Sequence, residues 1–353
     1  QAVHADGKEE GGDVGIEFEN VGNDHVFGDL LHEVILPNFS IFIIPTRWAL
    51  CKIFMEKDLK RESKTATIKT TSIHKGDPLM SKRVAFVTGA SNVTGKAIAL
   101  EMAKAGYNVI GFSYIGNEEG AKKTKAELEA LGATAAYYKM DTRNIEEAMA
   151  TLNTFTEEYG ALDAMVNNVG ITTVWKFLDV TLDDFNWLSE VNIRGTYFMM
   201  QAAAKNMIAN NKKGFIVNIS SVHAIGTFPG SSVYATTRAA VSRMTRSVAL
   251  ELSPYGITVN AFAPGYVDMT SGPKFEDPEK KEAELAKMKK AARYMPTRRW
   301  QKPQEIGECV AFLCSESARF IVGQTIFAEG GVTIPMGSAP AWPDVIGLNK
   351  DID

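Results

Sequence analysis

Three side chains in the second half of the chain have the types and the spacing that acid–base chemistry needs. Ser221 follows a short apolar run, Tyr234 comes thirteen residues later, and Arg238 follows four residues after the tyrosine. Residues four apart share one face of a helix, so the phenol and the guanidinium are expected to be neighbours. The reference pKa of a phenol is about 10, and a nearby fixed positive charge stabilises the phenolate. The arrangement predicts proton exchange with an oxygen atom, as in the reduction of a carbonyl group.

A glycine-containing loop nearer the start of the chain predicts a dinucleotide site. Residues 88–95 read TGASNVTG, between a short apolar run and a predicted helix. Glycine lets the backbone turn sharply and approach a pyrophosphate, whose charge is favoured at a helix N-terminus. A plain strand-to-helix turn is the alternative interpretation, because turns use glycine widely. The candidate cofactor contacts in this loop are Gly89, Ser91, Asn92, Thr94 and Gly95.

Alternating strands and helices would have to position both groups. Short apolar strands are predicted at residues 84–87, 108–113, 135–140, 164–166, 215–219, 258–262 and 325–328. Helices are predicted at residues 96–105, 118–131, 145–159, 233–252 and 303–314, and a further long helix follows a capping-box sequence at Thr181. Continuously apolar strands are typical of a parallel sheet that is covered on both faces. The alternation predicts a single α/β domain with a doubly wound parallel sheet of Rossmann type.

These motifs together resemble those of the short-chain dehydrogenase/reductase family, in the style of its 3-oxoacyl-carrier-protein reductases. Residues 88–95 resemble the family's TGxxxGxG loop, and NNVG at residues 167–170 resembles its NNAG motif. The resemblance covers nearly all of residues 80–337. It implies hydride transfer between a nicotinamide cofactor and a carbonyl or alcohol. The residues that resemble the family's Asn-Ser-Tyr-Lys catalytic set, with arginine in place of the lysine, are Asn192, Ser221, Tyr234 and Arg238.

The resemblance also implies a role for each member of this set. Tyr234 would be the acid/base, and Ser221 would donate a hydrogen bond that orients the carbonyl. Arg238 would supply the positive charge and contact the cofactor ribose, and Asn192 would hold a chain of water molecules. Arginine stays protonated in essentially all conditions, so a proton relay through its own nitrogen is not expected.

Further cofactor contacts are implied elsewhere in the chain. Asp141 would hold the adenine ring and Thr142 would add a backbone contact. No carboxylate stands at residues 111–116 to bind the ribose hydroxyls and repel a 2′-phosphate, which favours NADP(H) over NAD(H). Lys122 and Lys123 could help to bind the phosphate or could simply form a solvated helix face. The remaining implied contacts are Ser113, Asn168, Gly170, Tyr234, Arg238, Pro264, Gly265 and Val267.

Four departures from the family pattern surround the expected cofactor. Val93 and Val169 replace small residues, Arg238 replaces the lysine, and Met269 stands where the family usually has threonine. β-Branched side chains disfavour positive φ and fill space beside the phosphates. The alternative function is therefore a weakened or inactive relative that serves as a binding or regulatory protein.

The substrate side is less determined by the sequence. Residues 268–299 form a predicted lid with interleaved acids and bases, which either is a solvated helix or attracts an anionic acyl carrier. His223 would face the pocket or the solvent, with the two alternatives equally open. Trp175, Phe177 and Tyr266 are candidates to line an apolar cavity.

Composition restricts the class of partner. The net charge of −4 gives no basic face for nucleic acid, and the apolar run around residues 39–54 is interrupted by Pro45, Arg47 and Lys52, which argues against a membrane segment. Three cysteines without a CxxC pair predict no metal site and favour a reducing, cytoplasmic compartment. The expected partner is a small carbonyl or alcohol, and the resemblance implies a homodimer or homotetramer.

The first 79 residues differ in character from the rest. They show no sustained helical or strand periodicity at their start, and a stretch rich in basic residues, Ser and Thr precedes Met80. They are interpreted as a disordered or non-native extension, with a targeting or docking segment as the alternative. Residues 338–353 are interpreted as a C-terminal tail.

Overall fold

The computed structural model describes residues 30–36, 39–43, 67–72, 82–293 and 295–334. The chain divides into two units, residues 1–81 and 82–353. In the first unit, strands β1 (Leu30–Leu36), β2 (Phe39–Ile43) and β3 (Thr67–Ser72) form an antiparallel sheet in the order β2-β1-β3. No strands were predicted from the sequence in this part of the chain. Disorder or a non-native origin for the rest of the extension stays a prediction, and the tail at 338–353 lies outside the described residues.

The second unit is built on a seven-stranded parallel sheet, as predicted. Its order is β10-β9-β8-β7-β4-β5-β6, and it reverses between β4 and β7. Ligands of open α/β sheets bind at such a reversal, outside the carboxyl ends of the strands. The strands are β4 (Val84–Val87), β5 (Val109–Tyr114), β6 (Thr134–Lys139), β7 (Ala164–Asn167), β8 (Phe215–Ile219), β9 (Thr258–Pro264) and β10 (Thr325–Ala328).

Helices cover both faces of this sheet. Alternate side chains of β4 enter different cores: Ala85 and Val87 pack with Ile98 on one face, whereas Val84 and Phe86 pack with residues such as Leu152 on the other. This alternation follows from the two-residue period of a strand. The helices are α1 (Val93–Lys104), α2 (Glu118–Ala130), α3 (Ile145–Tyr159), α4 (Leu182–Ser189), α5 (Thr196–Ala209), α6 (Ser232–Leu252), α7 (Pro278–Ala292) and α8 (Pro303–Leu313).

The helix predicted after Thr181 is interrupted. Thr181 and Asp184 form the expected capping box, with each side chain bonded to the other's backbone N–H at 3.1 Å. Between α4 and α5, residues Glu190–Gly195 form a π-helical turn. Such wide turns often occur at functional sites, because they change the direction in which a side chain points. Here the turn contains Asn192.

The lid leaves the sheet after β9 and returns to it before α8. Its base is closed by a parallel bridge between Val267 and Gln301, with the Gln301 N–H donating to the Tyr266 carbonyl at 2.8 Å. Helix α7 lies within the lid. In the described part of the chain, no helix has the length and apolar character needed to cross a bilayer.

Candidate active site

The structure brings Ser221, Tyr234 and Arg238 together at the carboxyl end of the sheet. Ser221 follows β8, and the other two side chains lie on the buried stripe of α6, which repeats at helical spacing through Thr237 and Val241. All three of these side chains are buried, and the Arg238 Cζ atom lies 5.0 Å from the centre of the Tyr234 ring. The predicted i and i+4 neighbourhood is therefore present.

The surroundings of Tyr234 favour its phenolate. Burial raises the pKa of Tyr234, but the charge of Arg238 and hydrogen bonding with Thr172, Ser221 and Arg238 outweigh it and hold this pKa below its usual value. Thr172 was not among the sequence candidates, because a single threonine in a loop carries no distinguishing pattern. A tyrosine with a lowered pKa can exchange a proton near neutral pH more readily than a free phenol.

Arg238 is held rigidly from several sides. Its Nη1 donates to the Ile219 carbonyl at 3.1 Å, and its own backbone carbonyl accepts from the Ser220 hydroxyl at 3.0 Å. Its guanidinium lies directly on the Cα of Gly170, where an added Cβ would be only 1.9 Å from Nη2. The buried Nε–H finds no hydrogen-bond partner among the described residues. The site therefore contains a fixed cation whose buried Nε–H is still available as a donor.

Ser221 is oriented by the turn that follows it. Its Oγ accepts the His223 backbone N–H at 3.2 Å. A hydroxyl has one hydrogen to donate, and this bond leaves that hydrogen available to Tyr234 or to a substrate oxygen.

Asn192 is completely buried, and its amide binds protein groups. Its oxygen accepts the Ile171 N–H at 2.8 Å, and its nitrogen donates to the Ile171 carbonyl and to the Thr237 hydroxyl, both at 3.0 Å. The π-helical turn aims this side chain at the loop after β7. Asn192 thus ties that loop to α6 beside the catalytic cluster, and its role toward a water chain stays a prediction.

The glycine loop is closely packed against its neighbours. Gly89 has a positive φ of 71°, and its N–H donates to the Ser113 hydroxyl at 3.0 Å. A Cβ on Gly95 would lie 2.1 Å from the Gly89 carbonyl oxygen, so this position requires glycine. Ser113, predicted as a cofactor contact, is buried and holds the loop itself. Helix α1 starts at Val93, three residues earlier than predicted, which brings its N-terminus into the loop.

The side chains of Ser91, Asn92 and Thr94 lie at the half-exposed edge of the loop. Asn117, at the start of α2, donates to the Asn92 side chain and, at 3.5 Å, to the Ser91 carbonyl. Asn117 was missed from the sequence, although its place before two glutamates is typical of a helix N-cap. It links the loop to the region where the ribose of a dinucleotide is expected.

Each of the two valine replacements lies against a glycine. A Cβ added to Gly272, in the lid, would lie 2.9 Å from Val93 Cγ2, and one added to Gly89 would lie 2.9 Å from Val169 Cγ2. The side chains of Val93 and Val169 therefore occupy the space that a side chain at Gly272 or Gly89 would need. Nearby, the sulfur of Met269 lies 3.7 Å from the Thr94 hydroxyl, so the residue that replaces the family's threonine covers the loop.

The segment after β7 is fixed mainly by Thr88. The Thr88 hydroxyl accepts the backbone N–H groups of Asn168 and Val169, both at 3.0 Å. The Asn168 side-chain amide in turn donates two hydrogen bonds, to the carbonyls of Thr88 at 2.9 Å and Gly89 at 3.1 Å. Asn168, predicted as a cofactor contact, thus ties the two loops that would flank the cofactor.

At the predicted adenine end, Asp141 is paired with a residue that the sequence analysis did not single out. The guanidinium of Arg143 contacts the Asp141 carboxylate at 2.6 Å, and hydrogen bonding with Arg143 lowers the pKa of Asp141. An adenine amino group would have to share this carboxylate with Arg143. Thr142 is buried against Gly195, which fits the backbone role assigned to it.

The third loop of the site follows β9. Pro264 is the last residue of that strand, and Gly265 packs so closely that a Cβ would lie 2.7 Å from the Glu329 Cα. Val267 makes the bridge at the base of the lid. The hydroxyl of Thr270 donates to the Asp268 carboxylate at 2.6 Å and is thereby occupied.

The residues present fit a nicotinamide dinucleotide. The first turn of α1 carries no acidic side chain that would compete with a pyrophosphate. The unpartnered Arg238 Nε–H adds a buried donor in the catalytic cluster that a polyhydroxylated ligand could use. Lys122 contacts Glu119 at 2.7 Å and Glu118 at 3.6 Å, so its charge is already compensated.

Comparison with known proteins identifies the family. A family model described as enoyl-(acyl carrier protein) reductase matches residues 89–333. The chain belongs to the short-chain dehydrogenase/reductase family. Members of this family are oxidoreductases that use nicotinamide cofactors and act on carbonyl or alcohol groups.

Several characterised relatives of this short-chain dehydrogenase/reductase match over almost their entire length. Glucose 1-dehydrogenase 2 of Bacillus subtilis is 35% identical over 256 residues, which are 72% of this chain and 96% of that protein. A 3-oxoacyl-[acyl-carrier-protein] reductase of Staphylococcus aureus is 35% identical over 250 residues, covering 70% of this chain and 97% of the relative. The crystal structure of acetoin dehydrogenase from Enterobacter cloacae superposes with a TM-score of 0.66 at 32% identity, covering 73% of this chain and 98% of that one.

Proposed function

We propose that this protein transfers a hydride between NADP(H) and a carbonyl or alcohol, with Tyr234 as the acid/base. The observation that carries the proposal is the buried cluster in which the Arg238 cation lies 5.0 Å from the Tyr234 ring and Ser221 lies beside the phenol. At about 5 Å and an effective dielectric of about 20, a unit charge stabilises the phenolate by about 3 kcal/mol, which lowers the pKa of Tyr234.

In the direction of carbonyl reduction, each residue of the site has a separate role. The bound nicotinamide would supply the hydride to the carbonyl carbon. Tyr234 gives its hydroxyl proton to the carbonyl oxygen while Ser221 donates a hydrogen bond that orients that oxygen. Arg238 stabilises the resulting phenolate and contacts the cofactor ribose. Because arginine does not release its proton, the proton that restores Tyr234 arrives through hydroxyl groups or solvent and not through the guanidinium.

The cofactor would lie along the loops that end β4, β7 and β9. The pyrophosphate is assigned to the N-terminus of α1 and the glycine loop. NADP(H) is preferred because the end of β5 carries no carboxylate that would repel a 2′-phosphate. The preference is expected to be modest, since the charge of Lys122 is compensated by two glutamates.

We further propose a cytoplasmic homodimer or homotetramer. The side chains of Leu250, Phe320 and Ile326 are large, apolar and exposed, and Ile326 lies on the edge strand β10. Unpaired edge strands and exposed apolar side chains are commonly covered by association. Light scattering of the purified protein would give the mass of a dimer or tetramer, and a monomer at micromolar concentration would contradict the assembly.

The experiment that tests the function follows NADPH oxidation with a panel of ketones and aldehydes. Tyr234→Phe is expected to lower kcat by at least about 100-fold, since it removes the transferable proton. Tyr255→Phe is the matched control, because Tyr255 is exposed on the turn after α6. Equal activity of wild type and Tyr234→Phe would refute the mechanism. Absence of both turnover and cofactor binding would favour a binding or regulatory protein instead.

A further inference from the structure

A continuous series of aromatic rings leads away from the proposed acid/base. The His223 ring packs edge to face against Tyr234 with 5.1 Å between ring centres, and against Phe228 at the same distance. Phe228 is followed by Tyr266 at 6.2 Å, and Tyr266 by Trp300 at 5.3 Å. These rings come from three separate parts of the chain: the turn after Ser221, the loop after β9 and the return of the lid. Their convergence gives the reaction centre one aromatic wall.

Within the part of the chain that the structure describes, this wall is left partly exposed. Phe228 exposes 51% of its surface and Ile225, beside it in the same turn, exposes 61%. Val174, which packs on Gly230, is also exposed, and the Trp175 N–H donates to the Gly230 carbonyl at 2.8 Å. Large apolar side chains that stay exposed together beside a reaction centre indicate a surface that a ligand covers.

Three charged residues next to these rings in the chain, Arg298, Arg299 and Asp268, are already engaged. Both terminal nitrogens of Arg299 contact the Glu305 carboxylate, at 2.6 and 2.8 Å, and Arg298 donates to the Arg293 carbonyl at 2.7 Å. The Asp268 carboxylate accepts from Thr270. A flat apolar substituent can pack on the faces of the rings. His223 Nδ1 and Trp300 Nε1, which have no hydrogen-bond partner among the described residues, leave room for a polar group at the edge of such a substituent.

His223 and Tyr266 contribute to the wall as uncharged rings. Burial, and secondarily the charge of Arg238, lowers the pKa of His223, and burial raises the pKa of Tyr266. Both groups are therefore neutral at pH 7. The sequence left open whether His223 faces the pocket, and the structure places its ring between Tyr234 and Phe228.

We propose that the substrate is a carbonyl compound with an aromatic substituent, which packs on Phe228, Tyr266 and Trp300 while its oxygen meets Ser221 and Tyr234. This inference rests on the proposed function and names the substrate class of that same site. Phe228 is assigned as a specificity-determining residue. Its ring lies between His223, which packs on Tyr234, and the rings of Tyr266 and Trp300 at the base of the lid.

The test compares two ketones with the same carbon skeleton, acetophenone and cyclohexyl methyl ketone. Wild type is expected to bind acetophenone about three- to tenfold more tightly, the usual size of a preference between aromatic rings. The conjugated carbonyl of acetophenone is intrinsically less reactive, so the kinetic readout is the change of the kcat/KM ratio on mutation. Phe228→Leu, which keeps an apolar side chain but removes the ring, is expected to lower the ratio of acetophenone to cyclohexyl methyl ketone by about the same factor, chiefly through KM. Phe312→Leu is the matched control, since Phe312 is 48% exposed but lies on α8.

Ligand-observed NMR with the same two ketones gives a readout that is independent of turnover. Stronger binding of acetophenone to wild type, lost in Phe228→Leu, supports the proposal. Equal or stronger binding of the cyclohexyl ketone, or efficient turnover of glucose or acetoin alone, would overturn it. If no carbonyl compound is turned over, the proposed function fails, and the NMR comparison still decides whether the wall recognises aromatic rings.

Discussion

The cofactor loops and the catalytic cluster depart from the family pattern in different ways. Around the glycine loop the departures change shape: Val93 and Val169 are larger than the expected residues, and each lies against a glycine. In the catalytic cluster the departure preserves charge: Arg238 keeps the cation, and its extra bulk lies on Gly170. A departure from a motif therefore need not abolish a site when the neighbouring backbone leaves room for the larger side chain. Loss of the buried charge of Arg238 should lower activity more than a change in the packing of Val93 or Val169.

The largest effect is expected from removing the cation. Arg238→Gln should lower kcat by about 100-fold, since about 3 kcal/mol of phenolate stabilisation is lost. The phenolate is the base for alcohol oxidation and forms above the pKa of Tyr234. Removing the charge raises that pKa, so the rise of oxidation rate with pH should move to higher pH. The pH profile of alcohol oxidation measures both effects.

Arg238→Lys is the control for this prediction, because it keeps a positive charge on a shorter stem. Its pH profile should stay within roughly half a unit of wild type. An unchanged profile in Arg238→Gln would show that the cation does not set the acidity of Tyr234.

A smaller effect is expected from filling the space under the guanidinium. Gly170→Ala would place a Cβ 1.9 Å from Arg238 Nη2 and displace the cation. Overpacking of this kind costs about 1–3 kcal/mol, so kcat/KM should fall about tenfold. Gly116→Ala is the matched control, because nothing lies within 4 Å of its added Cβ. Similar activity in the two variants would contradict the close fit of Arg238 to Gly170.

The contact between Val93 and the lid should have a smaller effect still, confined to cofactor binding. Gly272→Ala is expected to weaken NADPH binding by about threefold, because its Cβ meets Val93 at 2.9 Å. In a Val93→Ala background the same substitution should have almost no effect, which corresponds to a coupling of about 0.7 kcal/mol. Additive effects in calorimetric titrations would show that the two positions do not touch.

The smallest effect concerns the choice of cofactor. Lys122→Ala should change the ratio of kcat/KM for NADPH and NADH by less than about twofold, because the lysine is exposed and compensated by Glu118 and Glu119. A tenfold loss of NADPH preference would identify Lys122 as the phosphate contact and contradict its assignment to the ion pairs.

The fold could be predicted well from the sequence, because buried parallel strands are short apolar runs and helix ends carry capping residues. The limits of β4, β8 and β10, for example, follow from short apolar runs bounded by glycine, proline or polar residues, whereas α3 begins after the capping residue Asn144 and ends before Gly160. The π-helical turn at Asn192 was not predicted, since its sequence continues an ordinary helical pattern.

The site could be predicted only in part. The i and i+4 spacing on one helix was enough to pair Tyr234 with Arg238. Contacts between distant segments were not visible: Gly272 opposite Val93 joins the lid to the glycine loop, and Arg143 binds Asp141 through a turn without a distinctive pattern. Such contacts depend on tertiary packing, which leaves no local periodicity in the sequence.

The glycines opposite Val93 and Val169 are expected to leave room for a cofactor beside the catalytic cluster. Titration of NADPH into the purified protein, followed by nicotinamide fluorescence, measures this directly. Saturable binding of one cofactor per chain is expected, with a Kd between about 1 μM and 1 mM. Fluorescence that rises without saturation to about 1 mM, for both NADPH and NADH, would contradict it.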